Sequence, residues 1–418
     1  MTRIPTSTGA YVTALCALQC TVAFVPPTNV RIHKSSLCRH VETVSSQGNE
    51  CPFIGVFPRF KIPLTTSKAE NKGFQWPYLA GIQRSMESAR LERQYGSLDY
   101  FPDQSGIQAF CSLWTAVADL EKETNSSSRI LALPHCDKRI LTNWIEMMDW
   151  IDDLEGLLNV SIKATRLEDQ VIRIERIGLP QSTTPAILHK PDTIERRTKA
   201  WVKRLLVDMG ICPFTKSITK SGQGLADLGV PVANIAYHTS QSRGIFLLMA
   251  DTWKAISDMI EAGPSGKDGI SSILLAAPEF DQAFDTWSGP VFCLLESGVV
   301  AAQAEGQVGV VCFHPDYKTP DGSTFPGFGH MHSVPRLERW VTEEKKGDCP
   351  FTKNDLAAGG AWQRRTPHAT INVLRADQLE KAETRRQTPK LYTNNIEAIL
   401  SIGSEQLQED LNRERILK

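Results

Sequence analysis

The stretch from Asp192 to Lys216 (DTIERRTKAWVKRLLVDMGICPFTK) constrains the fold of this chain more than any other part of the sequence. Its apolar residues recur at helical spacing and its basic residues fall between them, which predicts an amphipathic helix with one buried face. Asp192 or Thr193 is predicted to cap the start of the helix, with Glu195 completing a capping box. Gly210 is predicted to end it.

The Cys-Pro-Phe sequence at 212–214 follows this helix directly. Pro213 fixes its own backbone and favours an extended Cys212, so the helix places this cysteine on a stiff turn. Thiolates are stabilised at helix N-termini and near cations, whereas Cys212 follows a C-terminus and has only Lys216 nearby. Cys212 is therefore either a nucleophilic or redox thiol or a small buried residue of a packed turn.

Strands alternate with helices after this turn, which assigns residues 191–418 to one α+β domain. We expect a small mixed sheet of about four strands with packed helices. The predicted strands are Val230–His238, Ser271–Ala277, Gln307–Phe313 and Thr370–Leu374.

Residues 42–190 are predicted to form a mainly helical N-terminal region, whose role the sequence does not identify. Ile82–Tyr95 is polar and helix-prone, and helical periodicity marks Gln108–Lys122 and Arg139–Leu158. Residues 166–177 fit either a further helix or a strand, and both interpretations stay open.

Residues 1–41 are predicted to be a removable targeting segment, because they contain basic residues and no acidic residue. The apolar run from Ala10 to Val25 is long enough for a signal-peptide core and short for a membrane span. A basic, serine-containing stretch follows it, as in organelle transit peptides. The arrangement resembles the bipartite plastid presequence of diatoms and related algae. We therefore expect a location in the plastid (chloroplast) stroma, with the secretory pathway as the alternative, and no membrane span in the mature chain.

The overall charge argues against nucleic acid as a partner. The 46 Lys and Arg residues balance 47 Asp and Glu residues, giving a formal net charge of -1, whereas nucleic-acid binders carry a basic surface. The ten cysteines are scattered over 418 residues, which predicts mostly reduced thiols rather than a disulfide scaffold. A small anionic molecule is the candidate ligand, and the sequence identifies no cofactor and no protein partner.

Three motifs in order resemble the domain-of-unknown-function family 1415. They are Ile211–Thr215 (ICPFT), Phe313–Tyr317 (FHPDY) and Pro367–Arg375 (PHATINVLR). The resemblance covers about residues 192–403 and implies one domain, but it implies no activity because the function of the family is unassigned. In the third motif, Asn372 stands where the family usually has histidine.

Cys212, His314 and Asp316 are the candidate catalytic residues. His314 follows a predicted strand, from which it can act as the general base for the Cys212 thiol. Asp316 is placed to orient the imidazole ring. The alternative for His314 is a structural role, in which the ring bonds the backbone of a tight His-Pro turn.

Lys216, Asn372 and Arg375 are the candidate substrate-binding residues. Arg375 ends the last predicted strand and suits an anion such as a carboxylate or a phosphate. A structural ion pair is the alternative for Arg375.

His330 and His332 form a His-x-His pair, in which both rings point the same way if the segment is extended. Together with His314 they are candidate metal ligands, and a mobile glycine-rich loop is the alternative. Cys212 and Cys349 both begin the sequence Cys-Pro-Phe-Thr-Lys. This repeat indicates either a paired thiol or shared metal site, or chance.

Three hypotheses for the function follow from these residues. The first is a plastid enzyme that uses Cys212 and His314 for thiol-dependent hydrolysis, transfer or redox chemistry on an anionic substrate. The second is a non-enzymatic binding or assembly module in which the same residues are structural. The third is a metal-binding protein. Convergence of Cys212, His314 and Arg375 on one pocket would favour the first.

Overall fold

The computed structural model describes residues 77–102, 105–122, 127–152, 161–177, 189–322, 332–384 and 388–418. The chain divides into two compact units. The N-terminal unit contains the described residues within Pro58–Thr183 and Ala301–Gln303, and the C-terminal unit contains those within Thr184–Val300 and Ala304–Lys418. The predicted targeting segment lies outside the described residues.

The described part of the N-terminal unit combines three helices with a four-stranded sheet. These elements are α1 (Pro77–Tyr95), β1 (Asp99–Tyr100), α2 (Gly106–Lys122), β2 (Ser128–Ala132), α3 (Lys138–Asp152), β3 (Ser161–Glu168) and β4 (Val171–Ile177). The strands lie in the order β1-β2-β4-β3, and β3 and β4 form an antiparallel pair. The three predicted helices are present. Residues 166–177, for which the sequence allowed a helix or a strand, belong to the β3–β4 hairpin.

The C-terminal unit contains the remaining helices and strands. Its helices are α4 (Pro191–Trp201), α5 (Ile245–Ala262), α6 (Phe284–Thr286), α7 (Phe292–Ala301), α8 (Val334–Glu344), α9 (Lys353–Trp362), α10 (Ala376–Thr384), α11 (Thr388–Ile402) and α12 (Ser404–Ile416). Its strands are β5 (Lys220–Ser221), β6 (Ala233–Thr239), β7 (Ile270–Ala276), β8 (Val308–Phe313) and β9 (Thr370–Arg375). A π-helical segment, Val202–Asp208, continues α4, and a second one, Trp287–Val291, joins α6 to α7.

The strands of the C-terminal unit form a five-stranded mixed sheet in the order β5-β6-β7-β9-β8. Strands β6 and β7 are parallel, and β9 is antiparallel to both of its neighbours, β7 and β8. The four predicted strands are all present, and the two-residue β5 adds a fifth. The α+β class is confirmed. Because β6, β7 and β8 run in one direction, their C-terminal ends meet the start of β9 at one edge of the sheet.

The helix that begins this unit starts earlier than predicted. Lys190 occupies the N-cap position, Pro191 the first helical position, and no side chain caps the helix. Capping by Asp192 or Thr193 is therefore wrong, because a proline with a fixed φ and no N–H already starts the helix favourably. Gly210 has a φ of 67°, in the left-handed region, which confirms it as the helix stop.

The apolar face of α4 and of the π-helical segment builds the core of the unit. Trp201 is fully buried, with its ring 5.2 Å from that of Phe313 on β8. Leu205 joins the same cluster, which Leu407 and Leu411 of α12 complete. π-helical turns are rare and occur frequently at functional sites. This one lies directly before the Cys212 turn. Among the described helices, none is long and apolar enough to cross a bilayer.

Candidate functional site

A cavity of about 180 Å³ lies between one face of the C-terminal sheet and the segments that cover it. The floor consists of side chains from four neighbouring strands. They are Ile235, Ser272, Leu274, Val311, Phe313, Asn372 and Leu374. The cover comes from residues 211–215, from Gln363 and Arg364 after α9, and from residues 388–395 at the start of α11. Cys212 and Asn372, two of the predicted site residues, therefore line one pocket.

Hydrogen bonds to two helices fix the backbone before Cys212. The Ile211 carbonyl accepts from Asn395 Nδ2 of α11 at 3.1 Å. The same amide donates to Gln363 Oε1 at 2.9 Å, and Gln363 Nε2 donates to the Gly359 carbonyl of α9 at 3.0 Å. Because Asn395 and Gln363 are both buried, this chain of amides holds the cysteine turn against the helices.

The other side of the turn rests on residues 222–224. The Phe214 carbonyl accepts from the Gly222 amide at 2.9 Å, and Gly224 packs so closely that an added Cβ would lie 1.7 Å from the Pro213 oxygen. The half-buried Cys212 thiol donates to Thr215 Oγ1 at 3.6 Å. Cys212 lines the cavity and follows a helix C-terminus, where the helix dipole does not stabilise a thiolate.

Arg364 is the one charged side chain that lines the cavity in the described part of the chain. Its guanidinium lies over the Phe313 ring, 5.5 Å from the ring centroid, and Tyr392 lines the cavity with it. Burial raises the pKa of the Tyr392 hydroxyl, so that hydroxyl stays neutral at pH 7. The pocket thus combines one cation, a phenol, a thiol and neutral amides with apolar walls.

His314 lies outside this pocket, buried at the edge of the sheet where β8 ends. Its Nε2 lies 3.0 Å from the Phe280 carbonyl, and its Nδ1 accepts from the Asp316 amide at 3.0 Å. Both ring nitrogens are engaged with the backbone. This arrangement matches the structural role in a tight His-Pro turn that the sequence offered as the alternative to catalysis. The structure thus does not bring the His314 ring into the pocket of Cys212, and Asp316 contacts that ring through a backbone amide.

Residues 193–325 match the family model described as Protein of unknown function (DUF1415). This match confirms the predicted resemblance over those residues, which include the Cys-Pro-Phe and Phe-His-Pro motifs. The third motif, 367–375, lies beyond the matched DUF1415 segment. No curated protein and no solved structure shows significant similarity to the chain.

Arg375 and Lys216 do not line the cavity that the DUF1415 segment helps to form. Arg375 donates from Nε to the Ile270 carbonyl at 2.7 Å and from Nη2 to the Met259 carbonyl at 2.5 Å. Successive side chains of a strand point to opposite faces, so Arg375 faces away from Asn372, three residues earlier on β9. Arg375 is therefore a structural tie between β9 and the neighbouring backbone. Lys216 is exposed beside the turn.

The predicted metal ligands do not assemble in the described residues, which contain no group of three His, Cys, Asp or Glu side chains suited to a metal ion. His330 lies outside the described residues. His332 is buried, with Nε2 2.7 Å from the Tyr392 hydroxyl. Cys349 lies between α8 and α9, donates to the Phe351 carbonyl and does not line the cavity. The repeated Cys-Pro-Phe-Thr-Lys sequence thus serves two separate turns.

The residues predicted from sequence did not include a buried, hydrogen-bonded histidine and aspartate at the sheet edge, where β7 ends and β9 begins. His368 Nδ1 lies 2.8 Å from Asp281 Oδ2, and the Ala369 amide donates to Asp281 Oδ1 at 2.7 Å. Arg197 approaches His368 Nε2 at 3.4 Å, and Arg415 approaches Asp281 at 4.0 Å. His368 belongs to the third sequence motif, and that motif was the signal from which this pair could have been predicted. Asp281 belongs to the DUF1415 segment, whereas His368 lies beyond it.

Titration of His314 is expected to appear in the stability of the protein. Burial lowers the pKa of His314 from its usual 6.5, so the unfolded chain binds the proton more readily. The free energy of unfolding is therefore expected to decrease as pH falls below about 6.5, by up to about 1.4 kcal/mol per unit from this group. His314→Asn, which keeps an acceptor for the Asp316 amide, is expected to flatten that slope.

Urea denaturation of both proteins between pH 5 and 8 measures the two slopes. Burial also lowers the pKa of His238, but this group is present in both proteins and cancels in their difference. Equal slopes below pH 6.5 would show that His314 takes up a proton without opposing the fold.

Proposed function

We propose that the C-terminal unit binds a small organic anion, a carboxylate, in the cavity lined by Cys212, Asn372 and Arg364. The observation that carries the proposal is the placement of Arg364 as the one charged side chain of a largely apolar lining in the described residues. A guanidinium has five N–H donors and matches the geometry of a carboxylate. An anion bound there would have its charge at Arg364 and its apolar part against the floor of the sheet.

The physical chemistry of the pocket favours an anion over a neutral or cationic ligand. The described lining contains one guanidinium and no carboxylate, so the side chains that line the pocket attract an anion and repel a cation. Hydrogen bonds to a charged group contribute about 1.5–3 kcal/mol, more than neutral ones. Arg364 is also 9% exposed, and a shielded guanidinium interacts with a charge more strongly than one in open water.

The volume of the cavity limits the ligand to a small molecule. An apolar protein cavity of roughly 150 Å³ holds a benzene molecule, and this one measures about 180 Å³. Benzoate combines an apolar ring with a carboxylate at that scale. Benzamide has nearly the same shape without the charge, so the two molecules form a matched pair of probes.

The test uses the Cys212 thiol as a reporter of occupancy. We expect benzoate to slow alkylation of Cys212 by iodoacetamide in the full chain, measured by mass spectrometry of the cysteine peptides. In Arg364→Met, the benzoate concentration that gives half-maximal protection is expected to rise about tenfold or more, because the charged hydrogen bond is lost. Benzamide is expected to protect weakly in both proteins.

The chain supplies matched controls for each part of this experiment. Cys349 is half-buried, begins the same five-residue sequence and lies outside the cavity, so benzoate is expected to leave its alkylation unchanged. Arg365 adjoins Arg364 but stacks on Trp362 and donates to the Tyr317 carbonyl. Arg365→Met is therefore expected to retain protection. Equal protection by benzoate and benzamide, or no protection by either, would overturn the proposal.

A thiol-dependent reaction is the second candidate, because Cys212 lines the same cavity as Arg364. In this candidate the anionic group of a substrate would lie at Arg364, and its electrophilic carbon would lie near the sulfur. His314 is not placed to deprotonate the thiol, so binding without catalysis is preferred. Binding alone predicts that Cys212→Ser leaves benzoate affinity unchanged in calorimetry.

The proposed compartment is the plastid stroma, with the secretory pathway as the alternative. The basis for this is the sequence of residues 1–41, in which an apolar core precedes a basic segment free of acidic residues. The location of a fluorescent protein fused behind these residues in an algal cell distinguishes the two compartments.

A further inference from the structure

Asn372 is a polar residue on the largely apolar floor of the cavity. Its strand, β9, lies between β7 and β8, and Asn372 pairs with Leu274 on one side and with Val311 on the other. Residues that lie opposite each other share one face of a sheet, and both neighbours line the cavity together with Asn372. Neither neighbour has a side-chain hydrogen-bonding group, and Asn372 Oδ1 is buried without a hydrogen-bond partner.

The other two side-chain amides of the described lining are already bonded within the protein. Asn395 Nδ2 donates to Gln363 Oε1 at 2.9 Å and to the Ile211 carbonyl at 3.1 Å. Gln363 Nε2 donates to the Gly359 carbonyl at 3.0 Å. These two amides hold the cysteine turn, whereas the oxygen of Asn372 makes no such contact.

The unpartnered Asn372 oxygen lowers the stability of the fold, because it has lost its hydrogen bonds to water and gained none in return. A leucine of similar size would suit the same apolar neighbours without that cost. The last torsion of an asparagine side chain is broad, so the amide can turn its oxygen or its nitrogen toward a molecule in the cavity. The Asn372 amide is therefore available to a ligand.

We infer that Asn372 selects the ligand of this cavity by hydrogen-bonding to a hydroxyl group that the bound carboxylate carries. This inference rests on the proposed binding of a carboxylate at Arg364. A hydroxyl group both donates and accepts, so it matches either end of the amide. A second charged group is disfavoured, because Asn372 and its two apolar neighbours would remove it from water without an opposite charge. The ligand class is thus a small hydroxy acid rather than a dicarboxylate.

Hydroxybenzoates test this selection, because each is benzoate with one added hydroxyl group. We expect meta-hydroxybenzoate or para-hydroxybenzoate to bind the full chain about tenfold more tightly than benzoate in calorimetry. The ortho isomer, salicylate, is the control, since its hydroxyl group bonds to its own carboxylate. Salicylate is expected to bind no more tightly than benzoate.

Asn372→Leu separates a role in ligand selection from a role in the fold. Removing the amide is expected to bring the affinities for benzoate and for the preferred hydroxybenzoate to within about twofold of each other, with benzoate binding retained. Because the unpartnered oxygen is also removed, the midpoint of urea unfolding is expected to rise. A residue needed only for the fold would instead lower the midpoint and weaken all the ligands equally.

Gln378 is the matched control, because its amide is also buried without partners but lies outside the cavity. It is 1% exposed on α10, and neither its Oε1 nor its Nε2 has a hydrogen-bond partner. The described lining of the cavity does not include it. Gln378→Met is therefore expected to raise the urea midpoint, as Asn372→Leu does, and to keep the preference for the hydroxybenzoate.

Calorimetry on these variants and on Arg364→Met distinguishes the role of Asn372 from the proposed anion site. If benzoate and all three hydroxybenzoates bind the wild-type protein equally well, or if Asn372→Leu keeps the preference, the role of Asn372 is overturned. The anion site stands in that case if Arg364→Met weakens benzoate binding. If the wild-type protein binds none of these acids, both the site and the role of Asn372 are overturned.

Discussion

Replacing Gly224 with alanine is expected to destabilise the C-terminal unit by about 2–3 kcal/mol and to displace the turn that carries Cys212. The added Cβ would lie 1.7 Å from the Pro213 oxygen and 2.9 Å from its carbonyl carbon. Backbone atoms cannot rotate away as a flexible side chain does. Either residues 212–214 or the 3₁₀ turn at Gln223–Leu228 must therefore shift.

Gly306→Ala is the matched control for this substitution. An added Cβ at Gly306 meets nothing within 4 Å, and both glycines have a φ that other residues adopt. Alanine lowers the entropy of the unfolded chain equally at both positions, by an amount worth about 0.4–1 kcal/mol. The difference between the two variants in urea denaturation therefore isolates the steric effect.

The reactivity of Cys212 gives a second measurement of the same shift. Movement of Pro213 changes the exposure of the adjacent thiol. We therefore expect iodoacetamide to alkylate Cys212 faster in Gly224→Ala than in the wild-type protein, and to alkylate Cys349 at the same rate in both. If Gly224→Ala were as stable as Gly306→Ala and reacted no faster, the close packing of Gly224 on Pro213 would be contradicted.

Removal of the Asp281 carboxylate is expected to destabilise the protein by about 3 kcal/mol. Asp281 is 8% exposed and accepts from both His368 Nδ1 and the Ala369 amide. Asp281→Ala leaves the amide of the fully buried Ala369 without this acceptor. It also removes the negative charge that Arg415 approaches at 4.0 Å and that acts favourably on Arg197.

Asp281→Asn distinguishes the two bonds of the carboxylate. Its amide oxygen can still accept from Ala369, whereas its amide nitrogen faces His368, so we expect a loss of only about 1 kcal/mol. A cycle with Asp281→Ala, His368→Ala and the double variant measures the coupling, expected at about 1–2 kcal/mol. Additive losses in that cycle would contradict a direct Asp281–His368 bond.

The secondary structure that was predicted correctly rests on local patterns with clear periods. The amphipathic stripe at 194–209, its glycine stop and the apolar runs of β7 and β8 each specify their conformation within one segment. Residues 166–177 were ambiguous because a short hairpin of alternating residues gains its stability from cross-strand pairs. The two-residue β5 forms because β6 offers it hydrogen bonds.

Some residues of the candidate site were predicted from the sequence and others were not. The difference depends on which side chains the tertiary structure places on the same face of the sheet. Cys212 and Asn372 are 160 positions apart in the numbering, yet both line one cavity. Asn372 and Arg375 are close in sequence, yet the pleat of β9 separates them. Arg364, which carries the proposed function, follows α9 and belongs to no sequence motif.

By itself the sequence determined the α+β class, the helix that ends at Gly210 and the stiff turn at Cys212, because neighbouring residues control backbone angles and amphipathic periods. Tertiary structure alone decided what surrounds those residues. It directed both nitrogens of His314 to the backbone, turned Arg375 away from the pocket and brought Cys212, Arg364 and Tyr392 together around one cavity. Such contacts depend on packing between distant segments, and local sequence patterns carry no record of them.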